Sequence, residues 1–236
     1  MTIKKCFKTA IEALSGIKDG STIMISGFGD AGNPTELIHA LIEQGAKNLT
    51  VVSNNAGTGN LGLAKLLKAG RVRKVICSFP RSANSIVFQD LYKMGEIELE
   101  VVPQGTLAER IRAGGAGIGG FYTPTAVGTN LEKNKEIRLI EGRNYILEYP
   151  IQADVSLVKA FKSDRWGNLI YNKAARNFAP AMCMAAKITI VQVREITSLG
   201  SINPEHVITP SIFVDRIVQI SSPISEAQIL LDELKK

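Results

Sequence analysis

The sequence predicts an α/β protein built on an open, mainly parallel sheet flanked by helices, and two observations carry that prediction. Short β-rich runs alternate with longer runs of helical spacing, most cleanly in the first half of the chain. The composition, 45% hydrophobic and 21% charged over 236 residues, supports a full-sized core, and no repeat, low-complexity tract or linker divides it. One domain over residues 1–222 is therefore expected, with 223–236 as a C-terminal tail of helical spacing.

The elements follow in order. Residues 2–16 read as a helix and Ser21–Ser26 as a strand. Pro34 to Glu43 reads as a helix with Pro in its first turn and Asn33 as its cap. Leu49–Ser53 is the next strand, followed by a helix over 60–69, a strand Val72–Cys77 and a helix from Ser85 to Met94. The strand Ile97–Val102 alternates polar and apolar residues, so one of its faces is expected to be wet. The second half is less regular. Gly114–Gly120 is denser in Gly than a helix or strand tolerates without cost, which points to close approach by a ligand or another chain. A Pro/Thr/Gly loop spans Tyr122–Thr129, a β-rich stretch expected to pair antiparallel spans Tyr145–Lys159, and a helix spans roughly Ala174–Lys187. The strand Ile188–Val193 and the apolar run Ile212–Val218 close the domain.

Several function classes are excluded at this level. Charged residues recur too often for a membrane span. The segment Met1–Phe7 leads into polar sequence without an apolar h-region, so no secretory signal is read and the cytoplasm is the expected compartment. Cys6, Cys77 and Cys183 are odd in number and widely spaced, and the two histidines, His39 and His206, stand apart from them and from each other. Neither a disulfide framework nor a protein-built metal site is expected, and the cysteines read as buried thiols. The net charge of +6 is spread along the chain in short pairs, so nucleic acid is not the favoured partner, whereas an anionic small molecule suits it.

Ser26-Gly27-Phe28-Gly29-Asp30-Ala31-Gly32-Asn33-Pro34 follows a strand and opens a helix, and formally satisfies G-x-G-x-x-G. A dinucleotide site would need a carboxylate at the end of the next strand, which instead reads Ser53-Asn54-Asn55, and Asp30 would face a pyrophosphate. A nucleotide-dependent oxidoreductase and a purely structural turn both remain open readings of this loop. Asn54 and Asn55 supply amide donors at a strand's carboxyl end, where open sheets place ligands, or form a tight turn. Gln104, in Pro103-Gln104-Gly105-Thr106, also follows a strand and reads either as surface or as a group in the same cleft. There is no G-x-S-x-G elbow, and two histidines supply a Ser-His-Asp triad poorly. If the chain is a catalyst, its nucleophile lies elsewhere.

Taken together, in order and spacing over residues 3–220, the motifs resemble the family I CoA-transferases, specifically their A (α) subunit. The resemblance is carried by Asp19-Gly20, Gly27-Phe28 through Gly32 and Pro34, Val52 to Gly57, Val102-Pro103-Gln104-Gly105-Thr106 through Arg112, and Gly114 to Gly117. It continues in Tyr122 to Thr125, Gly167-Asn168 and Ala175-Arg176-Asn177-Phe178. Ser26 departs from the pattern, where the family usually has Gly, without an expected loss of function. The resemblance implies the CoA-transferase fold and an explanation for the missing nucleophile. In this family the nucleophile is a Glu of the B subunit. It attacks an acyl-CoA thioester, giving an acyl-glutamyl anhydride and then a glutamyl-CoA thioester, with no ATP, metal or permanently bound cofactor. The nearest match here to that Glu motif, Ser225-Glu226-Ala227, lacks its Asn.

By the same resemblance Ser26, Gly27, Phe28, Gly29, Asp30, Ala31 and Gly32 bind CoA, Asn54 and Gln104 donate to the thioester carbonyl or oxyanion, and Asn55 supports them. Gly114–Gly120 packs near the site or the B subunit, and the assembly is α2β2. Cys77-Ser78-Phe79-Pro80-Arg81, Asp164 to Asn168 and Glu205 to Pro210 look most like the branch that moves CoA from succinyl-CoA to 3-oxoadipate, with acetate or acetoacetate as the other acceptors. Arg81 is then expected to hold the distal carboxylate of a dicarboxylic substrate. A non-catalytic binding protein of the same fold is the remaining alternative.

Overall fold

A computed structural model describes residues 4–29, 31–81, 84–225 and 228–229. Its frame is a nine-stranded sheet, parallel except for one short strand. The chain opens with strand β1 (Cys6–Phe7) and a single turn of helix α1 (Ala10–Ala13), then runs β2 (Thr22–Ile25), α2 (Thr35–Gln44), β3 (Leu49–Val52), α3 (Gly62–Lys68), β4 (Val72–Cys77), α4 (Ile86–Lys93) and β5 (Glu98–Val101). Helix α5 (Gln104–Ala116) leads to a small antiparallel sheet of β6 (Phe121–Thr123), β7 (Ile137–Ile140) and β8 (Arg143–Glu148). The chain returns through β9 (Ala153–Asp164), β10 (Leu169–Ile170), α6 (Ala179–Met184), β11 (Ala186–Thr197) and β12 (Arg216–Gln219).

The order in the main sheet is β1-β12-β11-β9-β2-β3-β4-β5, with β10 antiparallel to β9. From β2 the chain winds outward through β3, β4 and β5, and from β9 it winds the other way. The β2/β9 boundary is therefore the topological switch point, where an open parallel sheet leaves a crevice outside its carboxyl ends. Apolar residues at helical spacing, among them Leu37, Ile38 and Leu41 of α2 and Leu63, Leu66 and Leu67 of α3, cover one face of the sheet. Leu107 and Ile111 of α5 and Met182 of α6 cover Met24, Val52 and Ile76 on the other. Each such fully buried Leu or Ile contributes roughly 1.5–3 kcal/mol.

The regular first half follows the sequence reading from α2 through β5. The amino-terminal helix does not extend over 2–16. Cys6 and Phe7 pair in parallel with Ile217 and Val218, completing the sheet edge, and the Thr9 hydroxyl caps the short α1 by accepting from the Glu12 N–H at 3.2 Å. Pro34, not Asn33, occupies the N-cap of α2, because the Asn33 amide turns back to donate to the Gly29 carbonyl. The stretch Tyr145–Lys159 divides at Pro150, which has no N–H for a ladder. Its first part pairs antiparallel, and its second enters the main sheet in parallel with β2 and β11. The region 174–187 yields a 3-10 turn (Lys173–Arg176) and the six-residue α6 rather than one helix. The proposed tail at 223–236 falls largely outside the described residues.

The largest departure is α5, which runs through Gly114 and Gly115 to end at Gly117, whose φ is +72°. Close approach is the reason for the glycines, and the neighbours belong to the same chain. A Cβ on Gly114 would lie 2.1 Å from the Ile151 carbonyl oxygen, and one on Gly115 would lie 2.6 Å from the Met184 Cβ. An ion-pair chain reinforces this corner. Lys74 meets Glu100 at 2.6 Å, Glu100 meets Arg110 at 2.9 Å, and the buried Glu148 lies 3.8 Å from Arg110 and pairs with Lys135. Burial raises the Glu100 pKa, but hydrogen bonds from Lys74 and Arg110 outweigh it and hold the carboxyl below its usual range.

Because the atom facing Gly114 is backbone, Gly114→Ala is expected to destabilise the chain by about 1–3 kcal/mol, seen as a lower urea midpoint, whereas Gly119→Ala, with open space around it, is expected to leave the midpoint nearly unchanged.

Candidate active site

Three strand ends meet beside the switch point. Ser53, Asn54 and Asn55 leave β3, Ser78 and Phe79 leave β4, and Gln104 opens α5 just past β5. The Asn54 backbone carbonyl accepts the N–H groups of Ser78 and Phe79 at 3.2 and 3.0 Å and the Ser78 hydroxyl at 3.1 Å. Its buried side-chain amide donates to Gln104 Oε1 at 2.9 Å and to Ser78 Oγ at 3.2 Å. Gln104 Oε1 is thereby fixed, and the exposed Gln104 is left with its Nε2 donor uncommitted among the described residues. Asn55 shapes the adjoining turn. Its Oδ1 accepts the Gly57 N–H at 2.8 Å, and its carbonyl accepts the Ser53 hydroxyl at 2.6 Å. Gly57, at φ +83°, lets α3 pack closely, since a Cβ there would meet Ala64 N at 2.5 Å.

The loop after β2 forms the facing wall. The buried Ser26 hydroxyl donates to the Gly32 carbonyl at 2.9 Å and accepts the Lys159 N–H at 3.2 Å, so a serine here ties the loop to β9. Asn177 staples it from outside, accepting the Gly27 N–H at 3.1 Å through Oδ1 and donating to the Ala31 carbonyl at 2.9 Å through Nδ2. Phe28 and Ala31 exchange backbone hydrogen bonds across the tip, and Phe28 remains exposed. Gly32, at φ +84°, lies where a Cβ would come within 2.6 Å of the Ala175 carbonyl oxygen.

Ser26, Gly27 and Gly29 of this loop line a crevice together with Asn33, Ser53, Asn54, Asn55, Gly57 and Thr58. The structure thus brings Asn54 and Asn55 together with Ser26, Gly27 and Gly29 of the Gly-rich loop, and Gln104 joins them through Asn54. Gly32 faces away, towards a second cavity. Asp30 lies outside the described residues. Arg81 is exposed at the end of the described loop after β4, with no hydrogen bond or ion pair among the described residues. Sequence reasoning assigned no role to Ser78 or Asn177. Ser78 adjoins Arg81 in its motif and Asn177 belongs to the Ala175–Phe178 motif, and those positions were the available signals.

The crevice offers amide and hydroxyl donors and, among the described lining residues, no carboxylate, thiol or imidazole. Cys77 lies just behind it, but burial pushes its thiol up to about 12, so it is not a thiolate near neutrality. No cluster of three His, Cys, Asp or Glu able to hold a metal occurs among the described residues, and no helix among them is long and apolar enough to cross a membrane. Such a site suits an electron-rich carbonyl oxygen or a developing oxyanion.

The chain belongs to the coenzyme A transferase family, whose model matches residues 7–219. It is 60% identical over 219 residues to the A subunit of the 3-oxoadipate CoA-transferase of Pseudomonas putida, covering 93% of this chain and 95% of that one. It is 48% identical to the A subunit of a probable succinyl-CoA:3-ketoacid coenzyme A transferase of Bacillus subtilis, covering 91% and 89%. Among solved structures, an acyl-CoA transferase of Escherichia coli O157:H7 superposes with a TM-score of 0.86 at 21% identity. That match covers 95% of this chain but only 48% of the other, so this chain spans about half the length of that transferase.

His39 on α2 anchors α3 next to the crevice, its Nε2 accepting the Gly62 N–H at 3.2 Å, which only the neutral ring can do. Burial and the nearby Lys65 lower its pKa below 6.5. The unfolded chain therefore takes up this proton first. The stabilisation is present above about pH 6.5 and is lost as pH falls through the folded value. The urea midpoint is expected to drop between pH 7.5 and 5.5, with a shallower drop in His39→Gln, and an equally steep drop in the variant would remove His39 as the cause.

Proposed function

We propose that this chain is the A subunit of a CoA-transferase that moves CoA from succinyl-CoA to a 3-oxoacid, with 3-oxoadipate as the acceptor and the nucleophilic Glu supplied by a separate B subunit in an α2β2 assembly. The observation that carries the reading is the near end-to-end match, at 60% identity, to the A subunit of a 3-oxoadipate CoA-transferase. The crevice agrees with it, because it is rich in donors and, among the described residues, lacks a nucleophile. No carboxylate at the end of β3 supports the oxidoreductase reading of the Gly-rich loop.

In this reaction the partner's Glu carboxylate attacks the succinyl-CoA carbonyl, expelling CoA thiolate and leaving an acyl-glutamyl anhydride. The thiolate then attacks the glutamyl carbonyl, releasing succinate and leaving a glutamyl-CoA thioester. The acceptor carboxylate reverses the sequence and departs as its CoA ester. Each tetrahedral intermediate carries an oxyanion, and the Gln104 Nε2 group is the donor for it. Asn54 acts with it, its own donors being spent on aiming Gln104 and Ser78. A preorganised donor of this kind contributes roughly 2.7–4 kcal/mol where water is excluded. The loop Ser26 to Gly32, including Asp30, holds the CoA thioester against this wall, and Asn55 lines the acyl end. Gly32 contributes by letting the loop close on Ala175. CoA enters and leaves as a substrate thioester, no permanent cofactor is required, and the cytoplasm is the compartment that supplies it. Arg81, with its guanidinium unpaired among the described residues, receives the distal carboxylate of the acceptor.

The test is CoA transfer from succinyl-CoA to 3-oxoadipate, acetoacetate and acetate, by the chain alone and after mixing with a B subunit. Transfer only in the mixture, fastest with 3-oxoadipate, is expected. Arg81→Ala is expected to raise KM for 3-oxoadipate by about tenfold or more while leaving acetoacetate kinetics close to wild type. Activity of the chain alone would contradict the half-enzyme reading, and preference for acetoacetate or acetate would move the assignment to that branch.

A further inference from the structure

Through Gly32, the loop at the switch point also borders a second cavity, of about 250 Å³, outside the β9–β11 ladder. Strand alternation places Lys159 and Phe161 of β9 on one face with Gln192 and Arg194 of β11, Gln192 standing in register beside Lys159. Ala175 and Asn172 stand with Gly32 on the lining, and Ile220 and Pro223 add apolar surface.

The floor is fixed. Buried Gln192 accepts the Leu37 N–H at 3.2 Å through Oε1 and donates to Glu36 at 2.5 Å through Nε2. Glu36, which holds Gln192, is further engaged by the Ile224 N–H at 2.5 Å. Lys162, the next cation along β9, is matched by Glu195 at 2.8 Å. Lys159 and Arg194 differ from these groups. Both line the cavity, and among the described residues neither cationic head has an ion-pair or hydrogen-bond partner.

We propose that this cavity is a second ligand site, for a small organic phosphate, with Lys159 and Arg194 holding the phosphate and Phe161, Ile220 and Pro223 covering the attached body. Two uncompensated cations on one ladder face match a phosphate, which carries about −1.5 to −2 near neutral pH, better than a single carboxylate. The Arg fork and the Lys point charge are both suited to its oxygens. The cavity lies just below the roughly 300–1,000 Å³ range of ordinary ligand pockets, so it holds a small phosphate ester or one end of a longer ligand. Two sources share this chemistry, a free organic phosphate and the nucleotide end of a CoA whose thioester occupies the crevice across the same loop. The CoA source rests on the transferase reading, and the free-phosphate source does not.

Isothermal titration of the full chain with inorganic phosphate and with adenosine 3′,5′-bisphosphate tests it. The wild type is expected to bind the bisphosphate with an affinity that falls as salt rises, and Lys159→Gln/Arg194→Gln is expected to weaken it by about tenfold or more. Lys187→Gln, at the opposite end of β11, is expected to bind like wild type. Arg194→Gln alone, at an exposed position, provides a variant whose fold is secure, checked by near-UV circular dichroism. In the reconstituted enzyme, a raised KM for succinyl-CoA with unchanged kcat identifies the CoA nucleotide as the source, and an unchanged KM identifies a free phosphate. No binding of either probe by the wild type, or equal affinity in wild type and the folded variants, overturns the proposal. Absence of transfer by the reconstituted wild type, with phosphate binding retained, would count against the transferase reading alone.

Discussion

Asn54 is the residue on which the arrangement of the site depends. Its carbonyl gathers two N–H groups and a hydroxyl from the segment after β4, and its side chain reaches Gln104 beyond β5. Three loops that would otherwise splay from neighbouring strand ends are held at one point. Each bond contributes only about 0.5–1.5 kcal/mol net, but each buried polar atom left unmatched would cost about 1–3 kcal/mol, so the cluster favours a single arrangement. Donor geometry fixed before the reaction needs no reorganisation when negative charge develops.

The sheet order places this cluster beside the topological switch point. The chain reverses its direction of winding between β2 and β9, and the loop leaving β2 has no neighbouring crossover to cover it. Ser26 and Asn177 tie that loop down from two sides, and Gly32 allows backbone contact with Ala175. The resulting wall presents amide and hydroxyl groups and, among the described lining residues, no carboxylate, thiol or imidazole, while burial holds the nearby Cys77 thiol up at about 12.

The first half of the fold was legible because its signals are local. Apolar spacing marks α2 and α3, and β-branched runs mark β3 and β4. Helix α5 was hidden by Gly114 and Gly115, whose helix-breaking tendency is overridden by backbone approach to Ile151 and α6, a tertiary fact without a local sign. The parallel pairing of β9 was obscured in the same way, because its partners lie far away in sequence and only Pro150 hints at the break before it. At the site, Asn54, Asn55 and Gln104 could be picked out as amides at strand ends. Ser78 and Asn177 could not, because their roles are hydrogen bonds to segments remote in sequence, made by residue types common in any turn.

The most direct measurement is a double-mutant cycle on kcat for CoA transfer in the reconstituted enzyme, using Ser78→Ala, Gln104→Ala and the pair, with thermal midpoints measured alongside. If Ser78 helps aim Gln104 by holding Asn54, whose amide fixes Gln104 Oε1, each single change lowers kcat, and the pair is little worse than Gln104→Ala alone. That corresponds to a coupling of about 1 kcal/mol or more. Additive losses would show that Ser78 does not act through Gln104, and full activity in Gln104→Ala with an unchanged midpoint would show that the amide cluster shapes the loops without serving the reaction.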